Sequence, residues 1–185
     1  MPYRTPDAAN PRVQRTRDRI LAAARDLLAE TGPAGLTYSL LAERAGVTRQ
    51  TLYRHWPARS ALLTDLILVG AAGGYPEPGE DPAAVATAWL TSLRDALRDP
   101  ARRTAVLAVT AQADADPDSA QALVRLTADR LAALNDLLKP SGTQVAPEEY
   151  ALLYGPVLAR MFFERAEATD DFIASVVAQW LTGRR

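Results

Sequence analysis

Cysteine is absent from this 185-residue chain, histidine and lysine each occur once, and aromatic residues make up only 6 %. The missing thiols exclude disulfides, thiolate–metal centres and cysteine nucleophiles, and they suit a reducing compartment. A lone imidazole excludes zinc centres built on several histidines, so neither a metal nor a cofactor is expected. No apolar run approaches the roughly 18 residues that span a bilayer. The opening MPYRTPDAANPRVQRTR lacks the apolar stretch that follows the basic residues of a secretory signal. A soluble, cytoplasmic protein with no membrane partner is the expectation. The sequence also lacks G-x-S-x-G, H-E-x-x-H, G-x-G-x-x-G and P-loop patterns. The single imidazole, His55, has no triad partners at recognisable spacing, so no catalytic residue is assigned and no enzyme is expected.

What is present begins with charge. Residues 1–65 hold ten arginines against six acidic residues, a net +4, whereas residues 66–185 hold eleven basic against sixteen acidic residues, a net −5. A basic end on an acidic body points to an anionic partner at that end, nucleic acid first among them. Hydrophobic residues make up 48 %, so a folded core is available and Ala, Leu and Val must build most of it.

Helical periodicity dominates. Residues 1–11, with three prolines, read as a flexible arm. Ile20, Ala24, Leu27 and Leu28 form a helical stripe that Gly32-Pro33 stops. Thr37 and Thr48 are placed to cap two short helices that end at Gly46 and Pro57. Further helices are predicted over 59–72, from Pro82 to Asp99, and over 101–114, 118–139, 147–168 and 170–182. A loop, GGYPEPGED, covers 73–81. No strand-like alternation competes, so the fold class is all-α with about nine helices. Gly155-Pro156 is expected to kink the eighth. The acidic run Asp114, Asp116 and Asp118 lacks the glycine and closing glutamate of a calcium loop and reads as a solvated turn.

The two short helices have the spacing of a helix-turn-helix. Ala42 lies four residues before Gly46, Leu41, Ala45 and Val47 flank them, and Leu52 follows the glycine by six. That arrangement supplies the small residue, the flexible turn and the inward apolar contacts that a steep helix crossing needs. With Leu52 inward, Arg49, Gln50, Tyr53 and Arg54 face outward on a segment sized for the major groove.

The stretch GLTYSLLAERAGVTRQTLYRHWPARSALL resembles the DNA-binding region of the tetracycline-repressor (TetR) family, with AGVT..TLYRHW as the specific core. The resemblance covers about residues 12–65. Mild departures are Leu41, Trp56 and Arg59 where Ile, Phe and Lys are usual; Ala58 replaces a frequent capping residue, and Gln50 replaces a common glycine. The resemblance implies phosphate contacts from Thr37, Thr48, Tyr53, His55 and Arg59, to which Ser39 is added as a neighbour. Base readout falls to Arg49 and Gln50, which suit guanine and adenine, with Thr51 and Arg54 as secondary readers. Arg12, Arg15 and Arg17 are candidates for phosphate or minor-groove contact.

Domains are expected at 1–11 (arm), 12–58 (helix-turn-helix) and 59–185 (ligand binding and dimerisation). The last two helices carry broad apolar faces, which suggest packing on a second copy through Val157, Met161, Phe172, Val176, Val177 and Trp180. By resemblance, the larger part encloses a pocket for an unknown inducer, expected to be largely apolar, with Trp89, Leu93, Leu107, Phe162 and Phe163 as candidate lining. The resulting expectation is a homodimeric repressor on a near-palindromic double-stranded DNA operator, released by a small ligand. A helical-bundle enzyme or ligand carrier with an incidental helix-turn-helix is the alternative from another class. A regulator governed by a protein partner is a third.

Overall fold

The computed structural model describes residues 11–68 and 75–184. Among them are nine α-helices: α1 (Pro11–Gly35), α2 (Tyr38–Ala45), α3 (Arg49–His55), α4 (Arg59–Leu68), α5 (Pro82–Arg98), α6 (Pro100–Gln112), α7 (Pro117–Leu138), α8 (Pro147–Leu158) and α9 (Asp170–Thr182). A 3-10 turn at Lys139–Ser141 follows α7, and a π-helical turn at Ala159–Phe163 follows α8. The expected arm lies outside the described residues except for Pro11, which opens α1. The expected extension of α4 to residue 72 lies outside them as well.

Two compact units emerge, and both are discontinuous in sequence: residues 1–70 with 99–126, and residues 71–98 with 127–185. In the first unit α1 packs on α2, α4 and α6, α4 packs on α6, and α2 packs on α3. Its core is aliphatic, formed by Ile20, Leu27 and Leu28 of α1, Leu41 of α2, Leu52 of α3, Leu62, Leu63 and Leu66 of α4, and the small residues Ala101, Ala105 and Ala108 of α6. Alanines at i, i+4 and i+7 on α6 let its backbone approach α1 and α4 closely. Packing therefore divides the chain differently from the role-based boundary expected after residue 58. Leu62, Leu63 and Leu66 are buried on α4, which packs on α1 and α6, and they share one core cluster with Leu41 and Leu52 of the helix-turn-helix.

The second unit packs α5 on α8 and α9, and α8 on α9. Its core includes Trp89 and Leu90 of α5, Leu134 and Leu138 of α7, Tyr150, Leu153 and Val157 of α8, and Ile173 and Val177 of α9. The buried Arg94 is held by Asp95, Asp170 and the carbonyl of Ala168. Asn135 bonds the Val145 backbone in both directions, at 2.8 and 3.1 Å, and so fixes the turn after α7.

One expectation is corrected here. Helix α8 does not run to Ala168: after Leu158 the backbone widens, with the Glu164 N–H reaching the Ala159 carbonyl at 3.1 Å, and Arg165 turns left-handed at φ 55°. Pro156 is tolerated within α8 because the carbonyl it leaves unpaired belongs to the solvent-exposed Leu152. The acidic run forms the expected turn between α6 and α7, with Asp114 exposed, and its Asp116 also accepts the Ser119 N–H and hydroxyl and the Asp118 N–H, capping α7. The Ser119 hydroxyl, foremost, and these N–H groups hold the Asp116 carboxyl below its usual range.

Candidate nucleic-acid interface

The turn between α2 and α3 follows from local rules. Thr37 caps α2 by accepting the Leu40 N–H at 3.3 Å. At its other end, Gly46 adopts φ 63°, a left-handed value that a side chain would strain. Its N–H bonds to the Glu43 carbonyl and that of Val47 to the Ala42 carbonyl, the paired pattern of a Schellman stop. The chain is thereby delivered to Thr48, whose hydroxyl accepts the Thr51 N–H at 3.2 Å and starts α3.

Helix α3 is anchored along one side and at its C-terminal end. Leu52 is fully buried, a contribution of about 1.5–3 kcal/mol. Trp56 is 1 % exposed, and its indole Nε1–H donates to Asp65 Oδ2 at 2.5 Å. The same carboxylate oxygen accepts Arg17 Nη2 at 2.7 Å, and the Arg17 guanidinium lies 5.9 Å from the Trp56 ring centre. Asp65 is 4 % exposed, so this ion pair joins α1, α4 and the end of α3 inside the core. Tyr38 adds a third tie: its hydroxyl donates to the Trp56 carbonyl at 2.7 Å, and its ring lies 4.8 Å from that of Tyr53. Burial, with a smaller push from Tyr53 and a pull back from Arg59, raises the Tyr38 hydroxyl to about 12, so it remains a donor. On the flank, Arg44 forms a two-point bond to Glu30 at 2.7 and 2.9 Å, linking α2 to α1.

The opposite side of α3 is open. Arg49, Gln50 and Arg54 are exposed, and Tyr53 is 55 % exposed. Guanidinium, amide and phenol donors thus project from one short helix whose other side is fixed. Such a surface suits a polyanion whose grooves display acceptors.

Residues 20–66 match the family model described as bacterial regulatory proteins, tetR family. The structure also superposes on the crystal structure of the TetR family transcription regulator SCO0332 with a TM-score of 0.72 and 27 % identity, covering 91 % of this chain and 97 % of that one. Residues 20–66 carry the DNA-binding region of the tetR family of bacterial regulatory proteins. A curated relative, the uncharacterised HTH-type transcriptional regulator YdeS of Bacillus subtilis (strain 168), is 40 % identical over 68 residues, 37 % of this chain. That match spans about a third (34 %) of the relative's length. GusR of Salmonella enterica shares the fold, with a TM-score of 0.63 at 24 % identity over 95 % of this chain and 97 % of its own.

Of the expected DNA-facing residues, Thr37, Ser39, Thr48, Arg49, Gln50, Tyr53 and Arg54 are exposed on α2, α3 and their caps. His55 is half-buried beside Trp56, their ring centres 5.5 Å apart. Thr51 is half-buried, with its hydroxyl 3.0 Å from that of Thr48. Arg59 is turned toward its own chain, where it donates to the Pro33 carbonyl beside the α1 break. Arg17 is not an arm residue: it is on α1 and belongs to the buried ion pair, while Arg12 and Arg15 are on the first turns of the same helix. Sequence reasoning missed Tyr38, Asp65 and the donor role of the Trp56 indole. An aspartate inside the apolar run ALLTDLIL was the available signal for one of them.

The expected ligand-lining residues belong to both units. Trp89 and Leu93 are buried in the second unit, Phe162 is half-buried there and Phe163 is 85 % exposed, while Leu107 is on α6 of the first unit and 44 % exposed. Among the expected dimer residues, Val157, Met161, Val176, Val177 and Trp180 are already buried within the single chain, and Phe172 is half-buried under Arg160. Broad apolar faces arise here because α9 packs on both α5 and α8.

Proposed function

We propose that this chain is a sequence-specific, DNA-binding transcriptional repressor that acts as a homodimer and is released from a near-palindromic operator by a small molecule. The observation that carries the reading is the polarity of α3: Leu52 and Trp56 bury and fix one side while Arg49, Gln50, Tyr53 and Arg54 are presented on the other. Arg49 and Gln50 read base edges, with Thr51 and Arg54 supplementing them. Thr37, Ser39, Thr48, Tyr53 and His55 contact phosphates, as does Arg59 through the N–H groups not bonded to Pro33. Each capping threonine accepts a backbone N–H through its oxygen, and Thr48 shares a hydroxyl–hydroxyl bond with Thr51 from which one proton is left to donate.

Dimerisation by the second unit draws on the apolar groups its own packing leaves uncovered, notably Leu152 at 71 % and Phe163 at 85 % exposure. Dimer formation supports the operator's two-fold symmetry, since two recognition helices one turn of DNA apart read related half-sites. Ligand release requires that the small molecule bind the DNA-incompetent arrangement more tightly than the competent one. Among the described residues no helix is long and apolar enough to cross a membrane, consistent with action on DNA in the cytoplasm.

In vitro selection of bound DNA with purified protein tests the reading. The expected result is enrichment of an inverted repeat; recovery of unrelated sequences after repeated rounds would refute it.

A further inference from the structure

The second unit gathers hydrogen-bond donors around a ring cluster in which, among the described residues, no carboxylate is ion-paired. Trp89 of α5 is 1 % exposed and its indole Nε1 is buried without a well-formed hydrogen bond. Tyr75 stacks on this indole, ring centres 5.1 Å apart and planes 18° from parallel. The Arg130 guanidinium of α7 lies 5.0 Å from the same ring centre. Tyr150 of α8 is buried, its ring 4.8 Å from that of Tyr154, and its hydroxyl oxygen is a neutral acceptor within reach of the Arg130 guanidinium and the Trp89 N–H.

Four other arginines of this unit are neutralised: Arg94 by Asp95 and Asp170, Arg98 by Asp95 and Glu167, Arg160 by Glu164, and Arg184 by Glu149, while Arg165 is exposed to solvent. Among the described residues Arg130 enters no such pair, although it is half-buried among aromatic rings. An indole N–H and a guanidinium can only donate, and a phenol donates readily. A guanidinium withdrawn from water without a counter-charge is unfavourable unless something supplies one. The stacked rings meanwhile offer flat apolar surface and exclude bulk solvent.

We propose that Arg130, Trp89 and Tyr150 form the head-group site for an amphipathic organic anion, a carboxylate on a flat apolar body that lies against Tyr75 and Tyr154. This deepens, and rests on, the reading of the chain as a ligand-responsive regulator. It also changes the expected ligand class, because the sequence pattern alone pointed to a largely apolar molecule. The carboxylate accepts two N–H groups from Arg130 and the indole N–H of Trp89, with the Tyr150 hydroxyl as a further donor.

Matched probes test this on the full chain. Calorimetric titrations compare 2-naphthoate with neutral 2-naphthalenemethanol, alongside benzoate and decanoate, for the wild type, Arg130→Gln and Trp89→Phe, with melting temperatures recorded to confirm folding. The expected result is that the wild type binds 2-naphthoate at least about tenfold more tightly than the alcohol, and that folded Arg130→Gln loses most of this preference. Trp89→Phe, which keeps a stacking ring but loses the N–H, shows a smaller loss. Equal binding of acid and alcohol, a preference that survives in Arg130→Gln, or no binding by any of the three anions up to about millimolar concentration overturns the proposal. Gel shifts with the same probes separate it from the reading beneath it. If the alcohol releases DNA as well as the acid does, ligand control stands and the anion site falls. If the acid binds through Arg130 yet leaves DNA binding unchanged, the site stands and ligand-controlled release falls.

Discussion

The two compact units treat the same residue type in opposite ways. In the first, the indole N–H of Trp56 is bonded to Asp65, which is in turn ion-paired with Arg17. In the second, the indole N–H groups of Trp89 and Trp180 are buried without partners, and each ring lies under an arginine. The bonds from Trp56 and Arg17 to Asp65 Oδ2 favour one arrangement over its neighbours, because any shift breaks a charged hydrogen bond in low dielectric, even though Asp65 Oδ1 and Arg59 Nε of the same unit are buried without partners. Those bonds hold the seven-residue α3 in its pose. The indoles of the second unit have no such tie to a carboxylate, and the proposed anion site is built on one of them.

The largest expected effect breaks the closed network. Asp65→Ala strands a part-buried guanidinium and a buried indole N–H, and unfolding in denaturant should show a loss of about 3–5 kcal/mol; a loss below about 1 kcal/mol would mean that the ion pair is not structural. Next, Trp56→Phe and Trp89→Phe sharpen the contrast directly. Both lose similar ring volume, but only the first loses a well-formed bond to a buried carboxylate, so Trp56→Phe should be the more destabilising by about 1–2 kcal/mol. Equal losses would erase the distinction between the units.

How much of this was legible beforehand follows from the range of the interactions. The helix-turn-helix was readable because its determinants are local: Thr37, Gly46 and Thr48 act on residues within five positions of themselves. The outward placement of Arg49 and Gln50 followed from Leu52 facing in. The Arg17–Asp65 pair spans 48 positions, and periodicity carries no information about such a partner. For the same reason the breadth of the apolar stripes on α8 and α9, which suggests a second copy, gives no sign that both helices also pack on α5 within the chain. The end of α8 was misplaced because nothing local marks Arg165 as left-handed; it is neither Gly nor Asn.

Smaller effects concern the open side of α3. Arg49→Ala should weaken binding to a selected operator by about 1–3 kcal/mol and relax preference at one base pair. Gel shifts on operator variants would show this, and equal losses on operator and random DNA would remove the base-reading role. Thr48→Ala, which loses the cap of α3, should lower stability by about 0.5–2 kcal/mol in thermal or denaturant unfolding.

The most limited effect is in pH. The Tyr38 hydroxyl is raised to about 12 in the folded chain from an ordinary 10, chiefly by burial. The folded state therefore holds this proton more tightly than the unfolded state does. Its contribution to stability is complete below pH 10 and falls as pH rises toward about 12. Tyr38→Phe should flatten that part of the stability profile; an unchanged slope would show that another group is responsible.

The central claim is that a rigid α3 reads DNA sequence through its exposed side. The most direct test is a titration of the wild-type chain, at matched salt, against a selected operator and against a scrambled duplex of the same length. The account predicts operator binding at least about a thousandfold tighter, with both affinities falling as salt rises. Equal affinity for the two duplexes at every salt concentration would contradict it.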